Sequence, residues 1–357
     1  MMRGSVIFRE AWINIQSGAA KAGWLGVALI LAIGLTSIAE LRTVSALDYR
    51  AREYHAAGAS IRILKTESSV DPQRCDALVK TSGIQTAGAL TTADPIGISS
   101  LPGVTTPAFA TTLGFQTVLG LDTALNQGVL ISEPLAQRWK VRAGDTLETD
   151  QGPIDVAAIF PYPEDDGRDS RLTNAVLIPS LGEGLFDECW ADVWPSTAAF
   201  DPLLRASQGA GTVEAATTVS ILNPTLGLVF TGAEEYQNRL TRYAPVTSAA
   251  LGLAIGFMGG ARRRLEYASS LHAGVASQDL TLIALVESAL WSGSAGALGT
   301  AGILLGARYG EPMVAGSLIG HLLTIGALGA LGAITGSLLP ATLSRENRLF
   351  KYFKERN

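Results

Sequence analysis

The sequence predicts an α-helical membrane protein with four transmembrane helices and an α+β extracytoplasmic domain between the first and second helices. Of its 357 residues, 47% are hydrophobic and only 17% are charged, whereas soluble domains carry about 25% charged residues. Charge is nearly absent from four windows of the chain. Between the first two windows lie about 200 residues of ordinary polarity, enough for a domain with its own core. The apolar content excludes a disordered chain, and the net charge of −5 argues against a nucleic-acid-binding protein.

Four windows are long enough, or nearly so, to cross a hydrocarbon core, which takes about 20 helical residues. The windows at 22–39 and 244–261 contain no ionisable side chain, the window at 280–307 contains only Glu287, and the window at 312–344 contains only His321. The second window is short and is rich in Gly and Ala. Transmembrane helices are therefore predicted at residues 22–42, 244–261, 280–307 and 313–339.

The first 21 residues carry apolar side chains at helical spacing among polar ones. They predict a cytoplasmic amphipathic helix over 1–21 that lies in the membrane interface; an ordinary cytoplasmic helix is the alternative. A cleavable signal peptide is disfavoured, because the apolar run starts more than 20 residues into the chain and no A-x-A site precedes Glu40.

The distribution of charge predicts the orientation. With both termini in the cytoplasm, the cytoplasmic pieces carry 11 basic and 5 acidic residues, whereas the segment from Glu40 to Tyr243 carries 15 basic and 25 acidic residues. The positive-inside rule therefore places the large segment outside a plasma membrane that the chain crosses four times. The remaining pieces are an extracytoplasmic domain at 43–243, a cytoplasmic segment at 262–279, a short external loop at 308–312 and a basic cytoplasmic tail at 340–357.

Both cysteines of the chain, Cys75 and Cys189, fall in the predicted external domain. An oxidising compartment favours a disulfide between them, and closing so long a loop contributes roughly 4–5 kcal/mol on the chain-entropy model. Two buried free thiols are the alternative. Trp190 and Trp194 stand beside Cys189 and are predicted to pack against the disulfide.

Alternating and short apolar runs predict a mixed α+β fold for the external domain. A helical stalk through residues 234–240 is expected to lead into the second membrane helix. The acidic run at 164–169 lacks the ligand spacing of an EF-hand and predicts a solvated loop. Strands are predicted at 60–64, 128–132, 146–149, 154–160 and 175–179, with a short helix at 133–139.

The chain carries no recognisable catalytic motif. It has no G-x-x-x-x-G-K-[ST] phosphate-binding loop, and its three histidines, His55, His272 and His321, lack the spacing of a metal site. We therefore expect no catalytic residue, no cofactor and no metal, and we expect any energy input to come from another chain.

The stretch around residues 260–290 holds the most informative pattern. An Arg run and Glu266 follow the second predicted helix, a short segment ends at Gly274, and Glu287 precedes a Gly-rich half of the third helix. Together with Pro340 at the end of the fourth helix, this order resembles the FtsX-like (MacB-type) ABC transporter permeases. Residues 128–147 are also similar to the family's extracytoplasmic domain, in their strand, helix and Gly-Asp turn. Leu271, where the family usually has a basic residue, and His272, where it has a small one, are departures.

The resemblance implies that the chain is the non-catalytic membrane subunit of an ABC complex. ATP hydrolysis on a separate cytoplasmic P-loop ATPase would move the helices and the external domain, most simply to export a hydrophobic or peptide substrate. The alternatives are a mechanotransmitter that regulates an extracellular cell-wall hydrolase, and a non-ABC membrane-anchored receptor or scaffold. Residues between the second and third helices would contact the ATPase: Arg263, Arg264, Leu265, Glu266, Tyr267, Leu271, His272 and Gly274. A plain stop-transfer anchor is the alternative role of the Arg run.

Polar residues and glycines inside the predicted helices indicate how the helices pack. Glu287 is expected to pair with the Arg run, because an intramembrane charge is costly without a partner, and His321 is expected to hydrogen-bond another helix. Small residues four apart predict close helix contacts, within the chain and with a second permease protomer in a homodimer or heterodimer. These glycines are Gly252, Gly256, Gly302, Gly306, Gly316, Gly320, Gly332 and Gly336.

Overall fold

The computed structural model describes residues 2–99, 103–121, 125–209, 217–310 and 316–345. The chain divides into two compact units, which we call the helical unit and the sheet unit. The helical unit comprises Met1–Leu47 and Glu235–Asn357, and the sheet unit comprises Asp48–Glu234. The predicted loop at 308–312 and the predicted tail at 340–357 extend beyond the described residues.

Helices and strands occupy most of the described chain. The α-helices there are α1 (Gly4–Gln16), α2 (Ala22–Ala56), α3 (Pro72–Ala77), α4 (Leu113–Val118), α5 (Glu133–Trp139), α6 (Asp201–Arg205), α7 (Gly232–Asn238), α8 (Ala244–Arg262), α9 (Arg264–His272), α10 (Ser277–Gly310) and α11 (Gly316–Leu343). The strands there are β1 (Ile61–Val70), β2 (Ile84–Gly97), β3 (Thr105–Thr111), β4 (Val129–Ser132), β5 (Thr146–Thr149), β6 (Gly152–Phe160), β7 (Val176–Pro179), β8 (Phe186–Val193) and β9 (Thr218–Ile221).

Four helical stretches in the described chain are long and apolar enough to cross a membrane, and each contains one predicted span or most of it. The helices extend past the predicted boundaries because loss of apolar character does not by itself end a helix. Thus α2 continues from residue 42 to Ala56, and α11 continues through Pro340 to Leu343. The N–H of Ser344 still donates to the carbonyl of Pro340 at 3.1 Å, so this proline lies inside the last turns rather than ending the helix. The stretches are Ala22–Ala56, Gly232–Arg262, Ser277–Ala307 and Gly316–Leu343.

Backbone contact between α8 and α11 is the closest helix packing in the helical unit. A Cβ atom built on Gly252 or Gly256 would come closer than 3.0 Å to the carbonyl oxygens of Gly329 and Ala333, respectively. The contacts advance by four residues on both helices at once, so α8 and α11 run in parallel. Gly332 and Gly336 of α11 approach carbonyl groups of α8 in the same way. Four of the eight predicted packing glycines therefore lie in one helix–helix contact.

The other four predicted packing glycines make no such contact. A Cβ atom built on Gly302, Gly306, Gly316 or Gly320 would have no heavy atom of the described chain within 4 Å, apart from the backbone of its own helix. The spacing of the glycines is the same in both sets. Spacing alone therefore does not show which glycines contact a neighbouring helix of the same chain.

The remaining contacts fix the directions of the four long helices. A Cβ atom built on Gly26 of α2 would lie 3.9 Å from the Cβ of Ala295 in α10. A Cβ atom built on Gly299 of α10 would lie 3.6 Å from the Cα of Ile30 in α2. Since both sequences advance together, α2 and α10 run in parallel. The helices α10 and α11 are antiparallel, because Gly296 of α10 contacts Ala330 of α11, whereas Thr300, further along α10, contacts Gly326, which is earlier in α11. The starts of α2 and α10 and the ends of α8 and α11 therefore lie at one end of the helical unit.

The sheet unit contains a mixed nine-stranded sheet with the order β5-β6-β4-β7-β3-β2-β8-β1-β9 among the described residues. The pairs β3–β7 and β4–β6 are parallel, and the other paired strands are antiparallel. The five predicted strands match β1, β4, β5, β6 and β7, although β1 continues to Val70, past its predicted end at residue 64, and the predicted helix at 133–139 is α5. The strands β2, β3, β8 and β9 escape prediction, because their sequences mix Gly, Pro, Thr and acidic residues with the apolar ones.

Cys75 of α3 and Cys189 of β8 form a disulfide with a Cα–Cα distance of 5.8 Å. The prediction that the neighbouring tryptophans pack against it is wrong. Successive residues of a strand point to opposite faces, so Trp190 lies in the core on the other face of the sheet, against Phe115. Trp194 instead packs against His55, with ring centroids 4.1 Å apart.

The acidic run at 164–169 is only partly solvated. Arg168 binds Asp166, with Nη2 and Oδ2 2.6 Å apart, and Arg171 binds Asp169, with Nε and Oδ2 2.7 Å apart. Arg171 also donates two hydrogen bonds to the buried carboxylate of Glu188, at 2.7 and 3.0 Å. The arginines therefore hold part of this loop in place, which the acidic spacing alone does not indicate.

We predict that Gly256→Ala destabilises the helical unit and that Gly306→Ala does not. The added methyl group at position 256 collides with the backbone of α11, and overpacking of this kind costs about 1–3 kcal/mol. At position 306 the methyl group meets open space, and alanine is the better helix former. Unfolding of the purified full chain by stepwise SDS titration, followed by circular dichroism, measures both. Equal effects of the two substitutions would contradict the packing.

Asp187, at the start of β8, is bound by four hydrogen bonds. Its carboxylate accepts from the hydroxyl of Thr91 at 2.7 Å, from the N–H of Thr92 at 3.1 Å, and from the N–H and hydroxyl of Ser68 at 3.1 and 3.2 Å. Burial by itself raises the pKa of Asp187, but these hydrogen bonds outweigh it, and the pKa lies below its ordinary value of 3.8. The ionised carboxylate therefore stabilises the sheet unit.

We predict that Asp187→Asn weakens the β1–β8 region by about 1–3 kcal/mol at neutral pH, because hydrogen bonds to a charged acceptor are lost. A group with a lowered folded pKa stabilises above its unfolded pKa, and this contribution is lost as the pH falls through the folded value. The difference from wild type is thus full above about pH 4 and shrinks in stronger acid. Hydrogen exchange of β1 and β8 peptides in the full chain measures it. Asp165→Asn, at an exposed carboxylate, is the control and should leave the exchange unchanged.

Candidate functional site

Charged side chains and a short helix gather at the end of the helical unit where α2 and α10 begin and α8 and α11 end. We call this the basic end. Tyr267 of α9 packs there against Leu280 and Ala284 of α10 and Ala341 of α11. The residues just before α1 contact the start of α10, since the N–H of Met2 donates to both carboxylate oxygens of Asp279 at 3.1 Å. Five helix termini and all of α9 therefore meet in one place.

The helix α9 is separated from α8 by one residue and from α10 by a glycine turn. Arg263 leaves helical geometry, with φ −99° and ψ 7°, and its carbonyl accepts the N–H of Tyr267 at 3.0 Å. At the other end Gly274 has a φ of +89° and donates its N–H to the carbonyl of Leu271 at 3.0 Å. Such a left-handed residue commonly ends a helix, and glycine takes it without strain. The predicted glycine turn thus ends α9.

An Arg–Glu pair links α9 to the body of the helical unit. Arg263 binds Glu287 of α10 through Nη1 and Glu266 through Nε at 2.8 Å. The second oxygen of Glu287 accepts a hydrogen bond from Asn14 of α1 at 3.2 Å. The side chains of Arg263 and Glu287 are 11% and 8% exposed, so water screens this pair little. Glu287 does pair with the Arg run, through its middle member.

Tyr267 fixes the inner face of α9. It is 6% exposed, and the guanidinium of Arg263 lies 5.3 Å from its ring centroid. Burial raises the pKa of Tyr267 above its ordinary value of 10.0, and Arg263 offsets this only in part. The hydroxyl therefore stays protonated at neutral pH, and Tyr267 acts as an apolar anchor with a neutral polar tip.

The opposite face of α9 is open. Glu266, Ser269 and His272 are exposed, whereas Tyr267 and Ala268 are buried. The other residues predicted for a partner contact are intermediate: Leu271 packs partly under the helix, Leu265 is half-buried, and Arg264 lies 5.6 Å from the ring centroid of Phe257. The predicted contact residues thus divide into an anchored face and a face available to a partner.

A second buried charge cluster lies at the opposite end of the helical unit. Glu40 of α2 is fully buried, and Arg239 binds it with Nη2 at 2.8 Å and Nε at 3.0 Å from the same oxygen. Nε2 of His321 in α11 lies 3.6 Å from Oε1 of Glu40, too far for a hydrogen bond, and it has no hydrogen-bond partner among the described residues, contrary to the prediction. Arg239 has extended backbone and separates α7 from a 3-10 turn at Leu240–Tyr243. The predicted stalk is therefore interrupted, and the interruption brings Arg239 to Glu40.

Sequence reasoning misses several partners in these two clusters, namely Asn14, Glu40, Arg239 and Asp279. Each lies far along the chain from the residue that it binds, and each has an ordinary alternative role as a polar residue at a helix end or on an exposed face. Only Glu40 carries a signal, because it follows an uncharged window without a helix break. Within the described residues, no group of three His, Cys, Asp or Glu side chains could hold a metal ion.

We predict that Glu287→Gln loosens α9. Removal of one partner leaves Arg263 buried without its charge partner, which costs about 3 kcal/mol for a buried pair. Faster hydrogen exchange of a peptide covering residues 264–272 in the full chain is the expected result. Glu266→Gln is the matched control, because it removes the other carboxylate bound to Arg263. The Glu266 side chain is 56% exposed, so its ion pair contributes at most about 1 kcal/mol. Exchange that is equally fast in both variants would contradict the role of the buried pair.

No protein-family model matches the chain, and no curated protein sequence matches it. Solved structures similar to the chain include three from transporter or permease proteins. The periplasmic region of MacB from Actinobacillus actinomycetemcomitans is 14% identical, with a TM-score of 0.36, over 52% of this chain and 96% of that one.

The second structure is a domain of a permease protein from Porphyromonas gingivalis, 17% identical over 47% of this chain and 92% of that one, with a TM-score of 0.33. The third is the extracellular domain of YknZ, a noncanonic ABC-type transporter from Gram-positive bacteria, 15% identical over 46% of this chain and all of that one, with a TM-score of 0.30.

Proposed function

We propose that the chain is the permease subunit of an ABC complex, in which a separate ATPase moves α9 and the helices pass that motion to the sheet unit. The observation that carries the proposal is the division of α9 into two faces. One face is held by Tyr267 and Arg263 against α10 and α11, and the other is exposed. A partner that pushes on the exposed face would therefore move α10 as well.

The buried contacts support such a transfer of motion. The pair Arg263–Glu287 joins α9 to α10, and Asn14 joins α1 to the same carboxylate. The backbone contact of α8 with α11 makes these two helices a stiff pair, because the backbones leave no space for sliding side chains. A displacement at the basic end would thus reach the other ends of the helices, where Arg239 binds Glu40.

The proposed orientation puts the basic end in the cytoplasm of a plasma membrane and the sheet unit outside. The positive-inside rule favours it, because Lys21 and Arg262–Arg264 all lie at the basic end. The disulfide of the sheet unit suits an oxidising compartment. In this orientation the exposed face of α9 meets the cytoplasm, where an ATPase is found.

The proposed cargo is a hydrophobic or peptide substrate exported from the outer side of the membrane. The chain itself supplies motion rather than chemistry, and ATP is hydrolysed by the partner. A second permease protomer, identical or related, would complete the complex. In support of this, a Cβ built on Gly302 or Gly306 of α10 would have no heavy atom of the described chain within 4 Å apart from the backbone of α10 itself. That helix surface is open to close approach of another helix.

We predict that a P-loop ATPase co-purifies with the tagged full chain from membranes of its own host, and that Ser269→Trp abolishes this association. The indole would stand on the exposed face of α9. Ser17→Trp is the matched control, because Ser17 is also exposed at the basic end and its hydroxyl, like that of Ser269, donates to the carbonyl three residues earlier. Mass spectrometry of the purified complex identifies the ATPase.

The proposal is wrong if no P-loop ATPase accompanies the wild-type chain, which is also the result that a receptor or scaffold would give. The proposed contact is wrong if Ser269→Trp retains the ATPase as well as Ser17→Trp does.

A further inference from the structure

A cavity of about 490 Å³ opens at the basic end and is lined by residues 19–21, Leu25, Gly259 and residues 261–266. The loop between α1 and α2 forms one side of it, and the junction of α8 with α9 forms the other. Its lining includes the apolar side chain of Leu25, whose Cδ1 would lie 2.6 Å from a Cβ built on Gly259. This contact brings the start of α2 against the end of α8.

Three cations lining the cavity have no acidic partner among the described residues. Of the Arg run, Arg263 is directed to Glu287 and Glu266. Arg262 and Arg264 remain, and Lys21 faces them from the other side of the same cavity. The acid in the lining is Glu266, and its Oε2 is already bound by Arg263. The cavity therefore carries an excess of positive charge that the described chain does not neutralise.

The position of the cavity along the helices indicates its ligand. Lys21 immediately precedes α2, and Arg262 is the last residue of α8. The cations therefore lie at the start of one apolar helix and at the end of another. The helix surface next to Lys21 exposes large apolar side chains, with Trp24 80% and Val27 51% exposed. Helix α1 presents exposed Phe8 and Trp12 at the same end, as helices do that lie in the membrane interface.

We propose that this cavity binds the phosphate headgroup of an anionic phospholipid of the adjoining leaflet. Lys21, Arg262 and Arg264 hold the phosphodiester by charge-assisted hydrogen bonds, and the acyl chains lie along the exposed apolar surface of α2. Basic pockets between membrane helices bind acidic headgroups in this way. An acidic protein segment would satisfy the charges but would leave the apolar surface beside them uncovered. The site requires that the four helices span a bilayer. Lipid binding can be measured without the proposed ATPase, although Arg264 and Glu266 of the lining also belong to the predicted ATPase contact.

The test is native mass spectrometry of the delipidated full chain, titrated in detergent with phosphatidylglycerol and with phosphatidylcholine of the same acyl chains. We expect preferential binding of phosphatidylglycerol by the wild type. The triple variant Lys21→Gln, Arg262→Gln, Arg264→Gln should lose this preference, by about fivefold in affinity for each cation removed. The matched control removes three exposed cations of the same end that do not line the cavity, in the variant Arg3→Gln, Arg9→Gln, Arg345→Gln.

Two further variants keep the test decisive. The double variant Arg262→Lys, Arg264→Lys retains the charges and should retain the lipid preference. Lys21→Gln alone alters an exposed residue outside the helices, so it should fold even if the triple variant does not. Its expected effect is a loss of about fivefold in affinity for phosphatidylglycerol.

Four results would overturn the proposal. The first is equal binding of the two lipids by the wild type. The second is an equal loss of affinity in the triple variant and in its matched control. The third is displacement of phosphatidylglycerol by an equal concentration of glycerol 3-phosphate, which would indicate a site for free phosphates. The fourth is a triple variant that binds phosphatidylglycerol normally but no longer co-purifies with the ATPase, which would assign the cations to a protein contact.

Discussion

Glu287 is a carboxylate within an apolar helix, and a carboxylate buried there is costly without a partner of opposite charge. Arg263 is that partner, and Asn14 satisfies the second oxygen. The pair is buried, so its value lies less in net stability than in the cost of separating the two partners. That cost fixes where α8 ends, where α9 begins and which side of α9 faces the helical unit. The placement of α1 follows, because its Asn14 binds the same carboxylate.

The second constraint is the small size of the side chains where α8 meets α11. Backbones can approach this closely only where both helices carry small residues at each crossing turn. The contact makes the two helices parallel and thereby brings Pro340 beside Gly260 and Ala341 beneath Tyr267. The glycine contacts and the Arg–Glu pair thus depend on each other. The first aligns the helix ends, and the second uses that alignment to hold α9.

The three members of the Arg run lie at one cavity but differ in their partners. Arg262, Arg263 and Arg264 all line it with Lys21. Arg263 also binds Glu287 and Glu266, whereas Arg262 and Arg264 have no acidic partner among the described residues. One run can therefore serve both a structural pair and a ligand site.

Local properties of the chain are enough to predict the four apolar helices, the α+β character of the external part, five of the strands, and the candidates for the disulfide and for the α9 segment. These properties are hydropathy, alternation, charge distribution and residue identity, and each is read from neighbouring positions. They do not show whether another helix packs against a glycine repeat, because the repeat permits close packing but does not specify the partner helix. They also misplace helix ends, since apolar character ends before hydrogen bonding does, and they put Trp190 beside a disulfide that lies on the other face of its strand.

Which polar side chains meet is decided by the tertiary structure alone. Glu40 and Arg239 are about 200 residues apart, and Asn14 and Glu287 are about 270 residues apart. No local pattern links such positions.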